Sequence, residues 1–252
     1  MKKHTKSEMS YVESGEPLGI PRRDFFKILG GGIIIFFLPK GIAEISAIPG
    51  EQGRSLPKDY NAFLHIDGDG MVTCFTGKIE MGQGIITSLP QMMADELNVP
   101  VEKIKMVMGD TDLCPWDAGT WGSLTTRVFG PSMRAAAAEA RGVLTTMASE
   151  QLKVPVSQLE VRDGIITDIK NPKNKVTYAQ LTKGKRIEKF LDVKPSAEDY
   201  KKFTYVGKSY KHADATLKVT GEARYSGDIR LPGMVFARIL RPPLTRGKAC
   251  IG

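Results

Sequence analysis

The fold is decided by the sequence GKIEMGQG at residues 77–84, in which three glycines surround a single glutamine. Glycine has no Cβ atom, so the backbone can turn tightly there and approach a ligand closely. An apolar pattern with helical spacing follows at residues 85–97 and predicts a helix. The first N–H groups of a helix lack partners within the helix and carry a partial positive charge. The pattern is therefore typical of a turn that binds phosphate.

A second glycine-rich segment, GTWGSLTT, occupies residues 119–126. Residues 101–108 between the two segments predict a strand, so the order is loop, helix, strand, loop and helix. Either segment alone is better explained as an ordinary turn capped by small polar residues. Their ordered repetition favours one shared site for a large anionic cofactor. Hydroxyl groups available to its phosphates or nucleobase come from Thr87, Thr120, Ser123, Thr125 and Thr126.

The remaining pattern predicts a mixture of hairpins and helices. We expect a hairpin at residues 62–66 and 71–75, a long helix at 131–152 opened by a proline, a second hairpin at 159–161 and 165–167, and a short helix at 178–181. Residues 183–210 are charged and aperiodic, and we expect them to cross the surface between domains. Residues 234–240 predict one further strand with unpaired edges, and we expect it either to pair with another chain or to be poorly ordered.

Several of these strings resemble a known family. The strings are KIEMGQG at 78–84, ADEL at 94–97, VMGDT at 107–111, GTWGS at 119–123 and RAAA at 134–137. Together they resemble the molybdopterin-binding large subunit of the xanthine dehydrogenase and aldehyde oxidase family, in the branch of isoquinoline 1-oxidoreductase and nicotinate dehydrogenase. The strings KVTGEARY at 218–225 and LPGM at 231–234 resemble the opening of that family's hammerhead domain.

The resemblance implies an α/β (α+β) fold. It predicts a molybdopterin-binding domain of the xanthine dehydrogenase type, followed by the start of an α/β-hammerhead domain. We expect five parts, namely a signal segment at 1–47, a linker at 48–60, a partial cofactor-binding domain at 61–183, an interdomain linker at 184–211 and the start of the hammerhead domain at 212–252.

The resemblance also implies a cofactor and the residues that hold it. The cofactor is molybdopterin carrying molybdenum, in the form extended as molybdopterin cytosine dinucleotide. Gln83 and its flanking backbone amides are expected at the pterin or pyrophosphate, and the second segment at the nucleotide end. The predicted cofactor-binding residues are Met81, Gly82, Gln83, Gly84, Thr87, Gly119, Thr120, Gly122, Ser123, Thr125 and Thr126.

Members of this family hydroxylate aldehydes or N-heterocycles with water as the oxygen source. Their general base is a glutamate in a loop near the end of a much longer subunit, so no residue here inherits that role and none is assigned as catalytic. Whether this chain is itself an enzyme is thus left open. The partners implied are a complementary C-terminal molybdopterin-binding chain, a small [2Fe-2S] subunit and, as a candidate electron acceptor, a cytochrome c. The alternatives are an exported non-catalytic module that binds a nucleotide or cofactor, and an inactive truncated fragment.

Composition excludes other classes of site. The cysteines Cys74, Cys114 and Cys250 and the three histidines are scattered, so local ligands predict neither a zinc site nor an iron–sulfur cluster. The formal net charge is +8, but the basic residues are spread along the chain, which argues against nucleic-acid binding. The hydrophobic content of 41% is sufficient for a substantial core.

The N-terminus resembles a twin-arginine export signal. The sequence PRRDFFK at residues 21–27 precedes an apolar run at 28–38, and small residues follow at Ala43, Ser46 and Ala47. The run is short of the roughly 20 residues that a membrane-spanning helix needs. We therefore expect export to the periplasm by the twin-arginine pathway and at most peripheral membrane contact. An uncleaved interfacial anchor remains an alternative.

Overall fold

A computed structural model describes residues 32–37, 62–115, 117, 119–190 and 198–241. The chain divides into two compact units, Met1–His212 and Ala213–Gly252. The strands of the described residues are β1 Gly32–Phe37, β2 Ala62–Ile66, β3 Val72–Thr76, β4 Ile104–Met108, β5 Leu159–Arg162, β6 Ile165–Asp168, β7 Asn171–Thr177 and β8 Arg186–Phe190. The α-helices are α1 Ile85–Leu97, α2 Gly130–Leu152, α3 Tyr178–Thr182 and α4 Ala215–Thr220.

The first unit is built around a five-stranded mixed sheet with the strand order β4-β3-β2-β1-β8. Strand β2 pairs antiparallel with both β1 and β3. Strand β4 pairs parallel with β3, and β8 pairs parallel with β1. A parallel neighbour needs a crossover connection, and α1 provides it between β3 and β4.

One face of this sheet packs against α1 and α2. Alternate strand residues such as Ile33, Leu64 and Cys74 point into this core, because successive side chains of a strand point to opposite faces. Helix α1 contributes apolar residues including Leu89 and Met93. Helix α2 contributes small side chains, namely Ala136, Ala137, Ala140 and Ala148, which allow the helix to lie close to its neighbours.

The opposite face of the sheet carries a smaller apolar cluster. Its buried members are Ile34, Phe63 and Phe75, and the two phenylalanine rings stack with their centroids 4.5 Å apart. Leu113 and Cys114, from the segment after β4, pack against this cluster. The segment that leads to the second glycine-rich stretch is thus anchored to the sheet by apolar contacts.

A three-stranded antiparallel sheet, in the order β5-β6-β7, follows α2. Helix α3 comes directly after it and begins with a capping box between Thr177 and Gln180. The buried hydroxyl of Tyr178 donates a 2.8 Å hydrogen bond to the carbonyl oxygen of Leu97 at the end of α1. This contact ties the small sheet to the helix of the first glycine-rich segment.

The predicted helix at residues 85–97 and both predicted hairpins are confirmed. The predicted strand at 101–108 is shorter, because a 3-10 turn occupies Val101–Lys103 before β4. Strand β7 was not predicted. The prediction that residues 183–210 cross the surface without regular structure was wrong for Arg186–Phe190, which form β8. The charged residues of β8 hide its strand character, which comes from pairing with β1.

The second unit contains α4 and a 3-10 turn at Ser226–Asp228 within its described residues. The prediction of a strand at 234–240 was wrong, because these residues form no regular element. A strand is stable only when a neighbour satisfies its backbone hydrogen bonds. Several large apolar side chains of this stretch are exposed, among them Val235, Phe236, Ile239 and Leu240.

The apolar run at 28–38 lies partly in β1, whose residues Ile33 and Ile35 are fully buried. The sequence pattern predicts that this run belongs to a twin-arginine export signal, and its residues 32–37 form a strand inside the large sheet. The twin arginines and the small residues at 43–47 lie outside the described residues. Among the described residues, no helix has the length and apolar character needed to cross a bilayer.

Candidate functional site

Both glycine-rich segments begin at the same edge of the large sheet. Residues 77–84 follow the end of β3, and the segment leading to residues 119–126 follows the end of β4. Because β3 and β4 are parallel neighbours, their carboxyl ends lie side by side. Topology therefore brings together two segments that are about 35 residues apart in the sequence.

The two segments line one cavity of about 540 Å³. This volume is in the range of small-molecule binding sites. Among the described residues that line it none is acidic, and hydroxyl groups predominate among the polar ones. The lining residues are Met81, Gln83, Ile85, Ser88, Thr120, Trp121, Gly122, Ser123, Thr125 and Thr126.

Lys78 fastens the second segment to the first. Its ammonium group donates to Asp117 Oδ1 at 2.7 Å and to the carbonyl oxygen of Gly119 at 2.6 Å. The exposed fractions of the Lys78 and Asp117 side chains are 7% and 2%, so this ion pair is buried. The N–H of Ile79 donates to the hydroxyl of Thr120 at 3.0 Å. A buried charge left without its partner is costly, so loss of either Lys78 or Asp117 would destabilise this contact between the segments.

Glu80 organises the first segment from within. Its Oε1 accepts hydrogen bonds from the N–H groups of Gly82 and Gly84 at 2.7 and 3.0 Å, and its Oε2 accepts one from Ile86 at 2.9 Å. Partial burial alone would raise the pKa of the Glu80 carboxyl, but these three N–H groups and nearby His212 lower it below its ordinary value. The carboxylate is therefore charged at neutral pH and occupies the start of α1.

Gln83 is held within the same segment. Its side-chain oxygen accepts from the N–H of Met81, and its amide group donates to the carbonyl oxygen of Ile79 at 3.0 Å. The side chain nonetheless lines the cavity together with the exposed side chain of Met81. These two hydrogen bonds within the segment help to define its shape.

The second segment has an unusual backbone. Gly119, Gly122 and Ser123 all have positive φ values, of 129°, 62° and 54°. A residue other than glycine is rarely found in this region, and such residues concentrate at functional sites. The chain continues into a π-helical turn at Thr125–Phe129 and then directly into α2. The predicted start of the long helix at Pro131 was therefore too late, because the π turn extends the helical geometry back to Thr125.

Residues 198–212, which we name the crossing segment, lie along α1. The carboxylate of Asp95 accepts from the N–H groups of Thr204, Tyr205 and Val206 at 2.7, 3.0 and 2.8 Å. The Gln91 side chain donates to the carbonyl oxygens of Tyr205 and Lys208. At the end of the segment, a Cβ added to Gly84 would come within 3.2 Å of His212 Nε2. Helix α1 therefore places His212 beside the first glycine-rich segment.

A second group of charges fixes the start of the crossing segment. Glu96 is fully buried, accepts from the Arg134 guanidinium at 2.6 Å and accepts from the N–H of Glu198 at 2.9 Å. Arg134 also donates to the carbonyl oxygen of Glu198. The ADEL string at 94–97 thus holds the crossing segment in place and supplies no group to the cavity.

The structure gathers most of the predicted site residues around the cavity but not all of them. Those at the cavity are Met81, Gln83, Thr120, Gly122, Ser123, Thr125 and Thr126. Gly82, Gly84, Thr87 and Gly119 lie outside its lining, and the N–H groups of Gly82 and Gly84 are engaged by Glu80. That these residues bind a cofactor remains a prediction.

Sequence reasoning missed some residues of the site. Ser88 and Trp121 line the cavity, and both could have been found because they lie within or next to the glycine-rich strings. The pairing of Lys78 with Asp117 had no sequence signal, because 39 residues separate the two. Among the described residues no cluster of metal-ligating side chains is found.

Comparison with known proteins gives a family match over most of the chain. The model of the molybdopterin cofactor-binding domain matches residues 9–225. A nicotinate dehydrogenase subunit of Pseudomonas putida is 34% identical over 230 residues, which are 89% of this chain and 19% of that protein. The beta subunit of isoquinoline 1-oxidoreductase of Brevundimonas diminuta is 25% identical over 91% of this chain and 34% of that protein. The chain therefore spans only a fifth to a third of these relatives.

A solved structure is also similar. CO dehydrogenase from Oligotropha carboxidovorans has a TM-score of 0.44 and 29% identity, over 48% of this chain and 15% of that one. A likeness at this TM-score is weak, and the match of family rests on the sequence comparisons.

Proposed function

Because this chain belongs to the molybdopterin cofactor-binding domain family, we propose that it binds the cofactor of a molybdenum hydroxylase in the cavity between its two glycine-rich segments. The observation that carries this proposal is the cavity of about 540 Å³ lined by both segments. The bound form proposed is molybdopterin cytosine dinucleotide with molybdenum.

The donor set of the cavity fits a phosphorylated heterocycle. The described residues of the lining include no carboxylate that would repel phosphate, and their hydroxyls come from the second segment and from Ser88 of α1. Trp121 has an exposed fraction of 48% and Met81 one of 61%, so both offer apolar surface to a flat ring system. Glycine at position 122, with a φ of 62°, keeps the backbone of the second segment accessible.

The residues of the chain bind and orient the group. Gln83 and Met81 are proposed to contact the pterin, and Thr120, Ser123 and Thr126 to hydrogen-bond the phosphates and the nucleotide. When bound, the cofactor supplies the redox chemistry by which molybdenum hydroxylases insert oxygen from water into aldehydes or N-heterocycles. The proposed role of the chain itself is to bind the cofactor and to position it.

The proposed assembly requires further protein. The relatives from Pseudomonas putida and Brevundimonas diminuta are each one component of an enzyme with several subunits, and this chain spans a minor part of each. We therefore propose a complementary molybdopterin-binding chain, a small [2Fe-2S] subunit and a cytochrome c acceptor as partners. The exposed apolar side chains of Val235, Phe236, Ile239 and Leu240 offer a surface for such a partner.

Export through the twin-arginine pathway to the periplasm is also proposed. Its support is the sequence PRRDFFK at 21–27 followed by an apolar run. Loading of the cofactor in the cytoplasm would suit this pathway, since it carries folded proteins.

The proposal is tested by quantifying molybdenum and released cytidine monophosphate in the chain purified from a host that makes the dinucleotide cofactor. We expect both in equal amounts. The Thr126→Val variant should retain about tenfold less of each, since one hydrogen bond in the cavity is lost. Thr167→Val, a conservative change in β6, should retain as much as the wild type. Nucleotide without metal would support the alternative of a nucleotide-binding module. A purified chain that contains neither molybdenum nor nucleotide would contradict the proposal.

A further inference from the structure

The start of α1 is already neutralised by a carboxylate of the same chain. Gly84, the residue before the helix, offers no side-chain cap, and the first turn contains no acidic residue. Glu80 fills this role from four positions upstream, through hydrogen bonds from Gly82, Gly84 and Ile86. Three of the amides at which a phosphate would be expected to bind are therefore engaged.

The three hydrogen bonds use both oxygens of Glu80 at 2.7 to 3.0 Å, which is the range of charge-assisted bonds. A phosphate that displaced this carboxylate would have to expel a group held by covalent attachment a few residues away. Its effective concentration there greatly exceeds that of a free ligand. Competition at these amides thus favours Glu80.

We infer that Glu80 is a positioning residue which holds the first glycine-rich segment in its binding shape, and that the amides of Gly82, Gly84 and Ile86 do not bind the cofactor's pyrophosphate. This inference rests on the proposed function for the identity of the ligand. If the inference holds, the phosphate contacts come from the second segment, whose residues Thr120, Ser123 and Thr126 line the cavity.

The crossing segment supports Glu80 from outside. His212 lies against Gly84 and acts on the Glu80 carboxyl, whose pKa the three backbone N–H groups and this histidine lower. The groups that face Glu80 are thus the amides of its own segment and of α1, together with His212. Because Asp95 holds the crossing segment by three backbone amides, the position of His212 depends on α1 as well.

A consequence for pH follows from the lowered pKa of Glu80. The contribution of the Glu80 carboxylate to order in the segment is fully present above the ordinary pKa of this group, 4.5. It is lost as the pH falls through the lower pKa of the folded state. The segment should therefore keep its shape in mildly acidic solution and open only below pH 4.5.

The inference is tested on the cofactor-free full chain by amide hydrogen exchange and NMR. In the wild type, the amides of Gly82, Gly84 and Ile86 should be protected, should titrate together below pH 4.5, and should not shift when inorganic pyrophosphate is added. In Glu80→Gln the negative charge and one of the two accepting oxygens are lost, so at least one of the three amides should exchange faster by more than about tenfold. Glu160→Gln, an exposed change in β5, should leave their exchange unaltered.

Two results would overturn the inference. One is unchanged protection of these amides in Glu80→Gln, and the other is a pyrophosphate-dependent shift of the same amides in the wild type. If Glu80→Gln fails to fold, the pyrophosphate and pH titrations of the wild type still decide the question. In the loaded protein, Glu80→Gln should lower cofactor retention, whereas an amide site for pyrophosphate would gain affinity when its competitor is removed. Failure of the wild type to bind any cofactor would refute the proposed function and leave the amide measurements intact.

Discussion

At the scale of single residues, backbone conformation and one carboxylate define the first glycine-rich segment. Gly82 and Gly84 have φ values of 97° and 85°, which side chains other than hydrogen rarely allow. The sequence predicted the need for glycine there, because the GQG string precedes a helix. It could not predict that Glu80 accepts hydrogen bonds from these amides, because a sequence does not show where a side chain two residues upstream points.

Replacing Gly84 with alanine should lower the free energy of unfolding by about 1–2 kcal/mol, since a left-handed backbone is costly for a residue with a Cβ atom. The new Cβ would also lie 3.2 Å from His212 Nε2. Chemical denaturation checks this. The matched control is Gly142→Ala in α2, where a Cβ meets nothing within 4 Å, and there stability should rise by about 0.5–1 kcal/mol. Equal effects at both positions would show that Gly84 does not have the conformation described.

At the scale of elements, α1 carries out two tasks with its two ends. Its start donates a hydrogen bond to Glu80 and carries the cavity residues Ile85 and Ser88, and its last turns hold the crossing segment through Asp95 and Glu96. The apolar periodicity of residues 85–97 was sufficient to predict this helix. The ion pair of Glu96 with Arg134 joins residues 38 positions apart, and no local pattern predicts such a pair.

Asp95→Asn should destabilise the first unit by about 2–3 kcal/mol. The backbone N–H groups would lose a charged acceptor, and the NH2 group of the new side chain would place a donor against them. Thermal unfolding at neutral pH measures this, with hydrogen exchange at Thr204–Val206 as the local readout. Asp112→Asn, at an exposed position, should change stability by less than about 0.5 kcal/mol. A variant as stable as the wild type would mean that Asp95 does not hold the crossing segment.

At the scale of the whole molecule, the large sheet combines parts that the sequence assigned to separate regions. The pattern of hairpins, helices and glycine-rich turns predicted the central helices, and the resemblance to a known family predicted the α/β class. It did not predict that β1 and β8 lie next to each other, because β1 lies in an apolar run typical of a signal and β8 in a charged stretch. Long-range pairing of this kind depends on tertiary contacts rather than on local propensity.

Removal of residues 1–47 tests the place of β1 in the sheet. Strand β1 lies between β2 and β8 and buries Ile33, Ile34 and Ile35 almost completely. Burial of each such side chain stabilises a fold by roughly 1.5–3 kcal/mol. A chain that begins at residue 48 should therefore unfold at a clearly lower temperature than the full chain. If the two unfold at the same temperature, β1 is not part of the stable fold.

The central claim is that two distant glycine-rich segments together bind one cofactor. Hydrogen exchange followed by mass spectrometry, on the full chain with and without added molybdopterin cytosine dinucleotide, tests it most directly. We predict that the cofactor slows exchange in peptides covering residues 79–88 and in peptides covering residues 119–126, with little change in β5–β7. Protection of only one segment, or of neither, would contradict the shared site.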